Sequence, residues 1–273
     1  MIESLAAVFR IAAPLLFAAT GALASDRTGR LAVFMDGAIN LAAFTFIVCT
    51  LGTGNSVAGF ILSTALTMLL IYGLAIFTER FHANPFLTGL GFNLASAGLI
   101  TLLSSIFFGT TSTLVLAGKG PNPLLLAVIP WLAVPGAVGL WIWMYKTRSG
   151  LELRITGSDP ELLESRGIHT AALRTRSWLI AAVCASAAGS FLAFSLGAWS
   201  PNISSGRGWT ALAVVYLGLR HPLGLIPAAL LFATADYGAT ILQGTHLVPG
   251  TVLLSLPYAL ALIVFALVKS RGK

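Results

Sequence analysis

Residues 146–176, KTRSGLELRITGSDPELLESRGIHTAALRTR, form the one long polar interval in a chain otherwise made of apolar segments. The interval carries six of the sixteen Lys/Arg residues and four of the nine Asp/Glu residues, so it must lie in water. Its basic excess predicts the cytoplasmic side. Within it, Ser158-Asp159-Pro160-Glu161 reads as a helix start: a capping side chain, a proline in the first turn, and a carboxylate near the positive end of the helix dipole. A short amphipathic helix should follow, with Leu162, Leu163 and Ile168 as its apolar edge and Gly167 letting the chain turn away. Such a helix is built to lie on a membrane surface or against a partner. The bland alternative is a solvated connecting loop.

Working outward from this interval, every other long stretch is apolar. With 57% hydrophobic and 9% charged residues and a mean hydropathy of +0.90, the chain departs far from the roughly 25% charged composition of soluble domains. It is expected to be an all-α polytopic membrane protein, one transmembrane domain over 1–273 with its cytoplasmic loop at 146–176. A net charge of +7 would suggest nucleic acid in a soluble protein. Here the basic residues sit in short loops, where they set orientation, and no nucleic-acid role is read. Cys49 and Cys184 fall within apolar segments and read as small packing residues rather than a disulfide.

Nine spans are expected. Leu5 to Ser25 is a retained helix interrupted only by Arg10, which can snorkel. LAVFMDGAIN then mixes apolar residues with Asp36 and Gly37, a broken or re-entrant start to a second span whose apolar part, Ala38 to Leu51, is short for a crossing of about 20 residues. Val57 to Phe77, Asn84 to Gly109 and Pro123 to Tyr145 are the third to fifth, the last expected to bend at Pro130 and Pro135. Ser177 to Ala198 is rich in Ala, Ser and Gly, which permit close helix approach and predict burial in the bundle. Trp209 to Leu219 is a short or tilted seventh; Leu223 to Leu242 and Thr251 to Val268 complete the set.

Alternating outward from a cytoplasmic 146–176 places Arg27, Arg30, Arg80, the six basic residues of the interval, Arg220, Lys269, Arg271 and Lys273 inside, and only Lys119 and Arg207 outside. The bias predicts an outside N-terminus and a cytoplasmic C-terminus, and favours a crossing at 209–219 over a re-entrant segment. The polar breaks SDRTGR and SPNISSGRG lie on opposite sides, each ahead of a short apolar segment. That pattern suggests inverted repeats with broken helices, as transporters use.

Three stretches carry a resemblance: TGSDPELLESRGIHTAALRTR, SPNISSGRGWTALAVVYLGLRHPLGLIPAALLFATAD, and the closing LPYALALIVFAL. They are similar to the membrane permeases of bacterial ABC importers for simple sugars and nucleosides, in the wider group that contains branched-chain amino acid permeases. SDRTGRLAVFMDG and NPFLTGLGFNLASAGL extend the likeness over most of the chain. Two departures stand out. Asp36 replaces the family's usual Glu, and Leu162-Leu163 replace the usual Ala-Ala after the loop proline.

The resemblance implies a nucleoside or simple-sugar importer of the bacterial plasma membrane. In it two permease chains, paralogous or identical, work with two ATP-binding cassette ATPase subunits and an extracytoplasmic solute-binding protein, among membrane lipid. The chain has no phosphate-binding Gly-x-x-x-x-Gly-Lys-Ser/Thr loop, so it is no enzyme by itself and needs no cofactor or metal. ATPase contact is expected at Asp159, Glu161, Leu162, Leu163, Arg166 and Gly167, with charges at the rim and leucines as anchors. For the solute route the candidates are Asp236, Tyr237, Asn93 and Asp36, because intramembrane polar groups face a protein interior or a water-filled path. Asp236 could accept from ribose hydroxyls beside the Tyr237 ring, or equally pair with another helix. Trp131, Trp141, Trp143 and Trp209 read as interfacial anchors. An ion-coupled secondary transporter would share the spans without needing a docking helix. An intramembrane enzyme would need a convergent catalytic set, whereas His82, His169, His221 and His246 all sit in loops.

Overall fold

A computed structural model describes residues 2–116 and 123–243. The expected ninth span at 251–268, the terminal basic cluster, His246 and Lys119 lie outside the described residues. The helices are α1 (Ile2–Asp26), α2 (Met35–Thr53), α3 (Ser56–Arg80), α4 (Pro85–Phe108), α5 (Pro123–Lys146), α6 (Arg148–Ser158), α7 (Pro160–Glu164), α8 (Thr170–Leu196), α9 (Arg207–Leu217) and α10 (Leu225–Gln243). Two short strands, β1 (Leu114–Val115) and β2 (Ala198–Trp199), pair antiparallel.

The punctuation is local. Asn55 and Asn84 cap α3 and α4 by accepting from the backbone N–H two residues on, each at 2.9 Å, with Pro85 in the first turn of α4. Thr147 caps α6 by accepting from Gly150 N at 3.2 Å. α4 and α8 end at Gly109 and Gly197, both left-handed. α5 runs unbroken through Pro130 and Pro135.

Seven of these helices are long and apolar enough to cross a membrane. Their burial sorts them: 56%, 67% and 61% of the spanning windows of α1, α2 and α8 are buried, against 22%, 17% and 22% for α3, α4 and α5. α8 therefore sits at the centre, packed on α1, α2 and α3. Its Ala181, Ala182, Ala185 and Ala188 are fully enclosed. In lipid the hydrophobic effect does not drive helices together, so close approach through small side chains supplies the packing energy. α3, α4 and α5 turn large apolar side chains such as Leu69, Leu94 and Leu132 outward.

The expected short seventh segment is a short helix. α9 has 11 residues, about 16 Å at 1.5 Å per residue, half of a hydrocarbon core of about 30 Å. It is preceded by β2 and by the irregular segment 200–206, which runs alongside α2.

Candidate functional site

Three contacts place segment 199–208 against α2, running in the opposite direction. The Trp199 ring meets Phe44 edge-on at 5.1 Å between centroids. Asn40 Nδ2 donates to Ser204 Oγ at 2.7 Å, while Ser204 N donates to Asn40 Oδ1 at 3.0 Å. Gly208 N donates to Asp36 Oδ1 at 3.0 Å. Positions 44, 40 and 36 are one helical turn apart, so a single face of α2 meets Trp199, the Ser204 N–H and the first turn of α9. Asp36 also supplies a negative charge to the first turn of α9, where a half-helix exposes unpaired N–H groups. The approach is so close that any Cβ at Gly208 would overlap the Asp36 backbone.

The start of α2 is held from its other side. Asn93, in the middle of α4, accepts from Gly37 N at 2.8 Å and donates to Val33 O at 2.8 Å. Both ends of its amide are engaged with backbone, and they fix where α2 begins. α2 and α9 thus both start inside the protein, next to one another. Asp236 and Tyr237 are half-buried on α10. Arg207, in the first turn of α9, is the opposite charge that acts on Asp236. Its guanidinium also donates to Ile203 O and Ser204 O at 3.4 and 3.3 Å. Arg207 is half-buried at the start of α9, next to the start of α2.

At the far end of α9 a second cluster gathers. Arg220 Nε donates to Asp26 Oδ2 at 2.6 Å, and Arg27 Nε donates to Arg220 O at 3.0 Å. Asp26 is 4% exposed. The Arg154 guanidinium of α6 lies 4.3 Å over the Tyr145 ring, which meets His221 at 5.4 Å. Gly157 packs on the backbone of Arg27 and Gly29, leaving no room for a Cβ. Arg30 and Glu79 approach to 2.6 Å as an ion pair without hydrogen-bond alignment. Burial pushes the Arg30 guanidinium below its ordinary value, Glu79 opposes this, and Arg174 acts with burial. The ends of α1 and α9, the α5–α6 junction and the α6–α7 segment therefore share one end of the bundle.

α7 is short. Asp159 Oδ1 accepts from Leu162 N at 3.1 Å with Pro160 in the first turn, and Gly167 has φ +76°. Asp159, Glu161, Leu162, Arg166 and Gly167 are exposed. Leu163 is 3% exposed. It packs into the protein and is not available as a docking anchor, because a five-residue helix lying on α6 and α8 must turn one of two adjacent leucines inward.

The family model described as the permease component of the branched-chain amino acid transport system matches residues 4–268. The chain belongs to this permease family. Among relatives of the permease, the nucleoside ABC transporter permease NupC of Lactococcus lactis is 28% identical over 93% of this chain and 88% of its own. TsgC13 of Haloferax volcanii, provisionally a glucose ABC transporter permease, is 28% identical over 84% and 74%. The solved structure of PsaBC from Streptococcus pneumoniae in complex with Fab superposes with a TM-score of 0.53 at 15% identity, covering 94% of this chain and 89% of that one, a likeness of fold.

Within the permease, sequence reasoning singled out Asp36, Asn93 and Asp236 separately; the structure gathers Asp36 and Asn93 at the start of α2 and leaves Asp236 half-buried on α10. It missed Asn40 and Ser204. The i, i+4 spacing of Asp36 and Asn40 was the available signal. It also missed the Arg154–Tyr145–His221 stack, which joins residues too far apart in sequence for any spacing to reveal.

Proposed function

We propose that this permease is the membrane subunit of an ABC importer that moves a nucleoside or simple sugar inward across the bacterial plasma membrane, driven by separate ATPase subunits. The observation that carries the coupling is a continuous chain of contacts. An ATPase seated on Asp159, Glu161, Leu162, Arg166 and Gly167 would push on α7 and α6. α6 reaches the end of α9 through the Arg154–Tyr145–His221 stack and through Gly157, Arg27 and Arg220. α9 begins at Asp36, and its Arg207 acts on Asp236 by charge, so displacement at one end of a rigid 11-residue helix moves the polar residues at the other.

The solute route follows the internal starts of α2 and α9. Half-helix termini and the irregular backbone between them supply polar groups at depth without the cost of an isolated charge. Asp36, Asp236 and Tyr237 are the assigned contacts, with Asn93 positioning α2. A second permease chain completes the pathway, and an extracytoplasmic binding protein delivers solute. The relatives' solutes, nucleoside for NupC and provisionally glucose for TsgC13, support this class.

The test is uptake of labelled nucleosides, pentoses and glucose by the permease reconstituted with its co-purifying ATPase. Uptake that requires ATP hydrolysis and is selective for one of these classes is expected. Uptake driven by an ion gradient without any ATPase would replace this reading with secondary transport.

A further inference from the structure

An open groove of about 600 Å³ lies between the last turns of α3 and the first turns of α8. One wall is apolar and belongs to spanning helices: Tyr72 and Ile76 on α3 and Leu179 on α8. Tyr72 and Ile76 continue an exposed stripe that begins at Leu69, at spacings of three and four residues, so the wall rises along the outer face of the bundle. The rim at the helix ends is basic, formed by Arg80, His82 and Arg176, all exposed. Among the described residues neither arginine has a hydrogen-bond or ion-pair partner. The carboxylate that also lines the groove, Glu79, is neutralised by Arg30 at 2.6 Å.

We infer that this groove is a binding site for an anionic phospholipid, its phosphate held by Arg80, Arg176 and His82 and its acyl chain lying along Leu179, Ile76, Tyr72 and Leu69. The geometry matches the amphiphile. Cationic groups lie at the depth of the membrane–water boundary, and an apolar channel leads from them towards the hydrocarbon. A soluble anion or a water-soluble partner could meet the rim but would leave the apolar wall uncovered. The wall belongs to helices that span the bilayer, where an acyl chain is the available occupant. The inference holds for either orientation of the permease and does not depend on its solute.

Native mass spectrometry of the full-length permease, titrated with phosphatidylglycerol or with phosphatidylcholine of the same acyl chains, tests it. Wild type should retain phosphatidylglycerol in preference. The double variant Arg80→Gln/Arg176→Gln should lose about thirty-fold in affinity, the sum for two basic residues at an anionic interface. Lys146→Gln/Arg148→Gln, with the same charge change at the same end of the bundle, should not. Ile76→Trp keeps every charge but fills the channel, and it should weaken phosphatidylglycerol as well. Equal losses in both double variants would reduce the effect to diffuse attraction and overturn the site. Displacement by millimolar inorganic phosphate would show a phosphate site without a lipid. A crosslink between two copies through a cysteine at Ile76 would give the groove to a second chain. Either of these results overturns the inference.

Discussion

Asp36 and Gly208 show how one residue pair holds two interrupted helices together. Asp36→Asn keeps an acceptor for Gly208 N–H but removes the negative charge at the α9 start, a loss of about 1 kcal/mol. Asp36→Ala also leaves the N–H unpaired away from water, at about 1–3 kcal/mol. Thermal unfolding in detergent should therefore rank wild type above Asp36→Asn above Asp36→Ala. The opposite order for the two variants would remove the hydrogen bond from the account. Asp236 calls for a different measurement because the charge of Arg207 acts on it. If the pair is structural, Asp236→Asn and Arg207→Gln should each destabilise, and their combination should cost less than the sum by at least about 0.5 kcal/mol. Relative nucleoside preference would stay the same. Additive stability losses together with altered preference would instead place Asp236 on the solute.

At the scale of elements, the α6–α7 segment is the proposed mechanical link, and its parts separate experimentally. Gly167→Ile puts a β-branched residue at φ +76°, a cost of roughly 1–2 kcal/mol that should re-aim the exposed edge of α7. The variant should express, while solute-stimulated ATP hydrolysis by the assembled transporter falls. Normal stimulation would show that the turn is irrelevant to docking. Arg154→Gln and Tyr145→Leu leave that docking edge unchanged but break the stack towards His221. ATPase co-purification should persist while stimulation by solute is lost. If assembly itself failed, the stack would belong to the ATPase interface rather than to transmission. The turn was legible from the sequence, since Gly167 follows a capped helix start. The inward packing of Leu163 was not, because two adjacent leucines on a short helix cannot be sorted without knowing which neighbours lie beneath.

For the whole molecule, orientation is the property most open to test. In a variant lacking Cys49 and Cys184, a cysteine at Ser158 should resist an impermeant reagent in intact cells, and one at Asn55 should react; both positions are exposed. Labelling at Ser158 would invert the topology. The sequence by itself determined that the protein spans a membrane many times, that its polar interval stands outside the spans, and that basic residues gather at one end. These follow from composition and local patterning, because lipid demands that each spanning backbone satisfy its own hydrogen bonds within a run of apolar residues. It also marked Asp36, Asn93 and Asp236 as costly groups needing partners. Only the tertiary structure decided which partners. Asp36 meets a backbone N–H that is 172 residues away in the chain, and Asn93 meets Gly37 N and Val33 O at the start of another helix. The physical reason is that buried polar backbone is stable only beside groups that satisfy it, and that adjacency arises from the packing of α2, α4 and α9 rather than from any local signal.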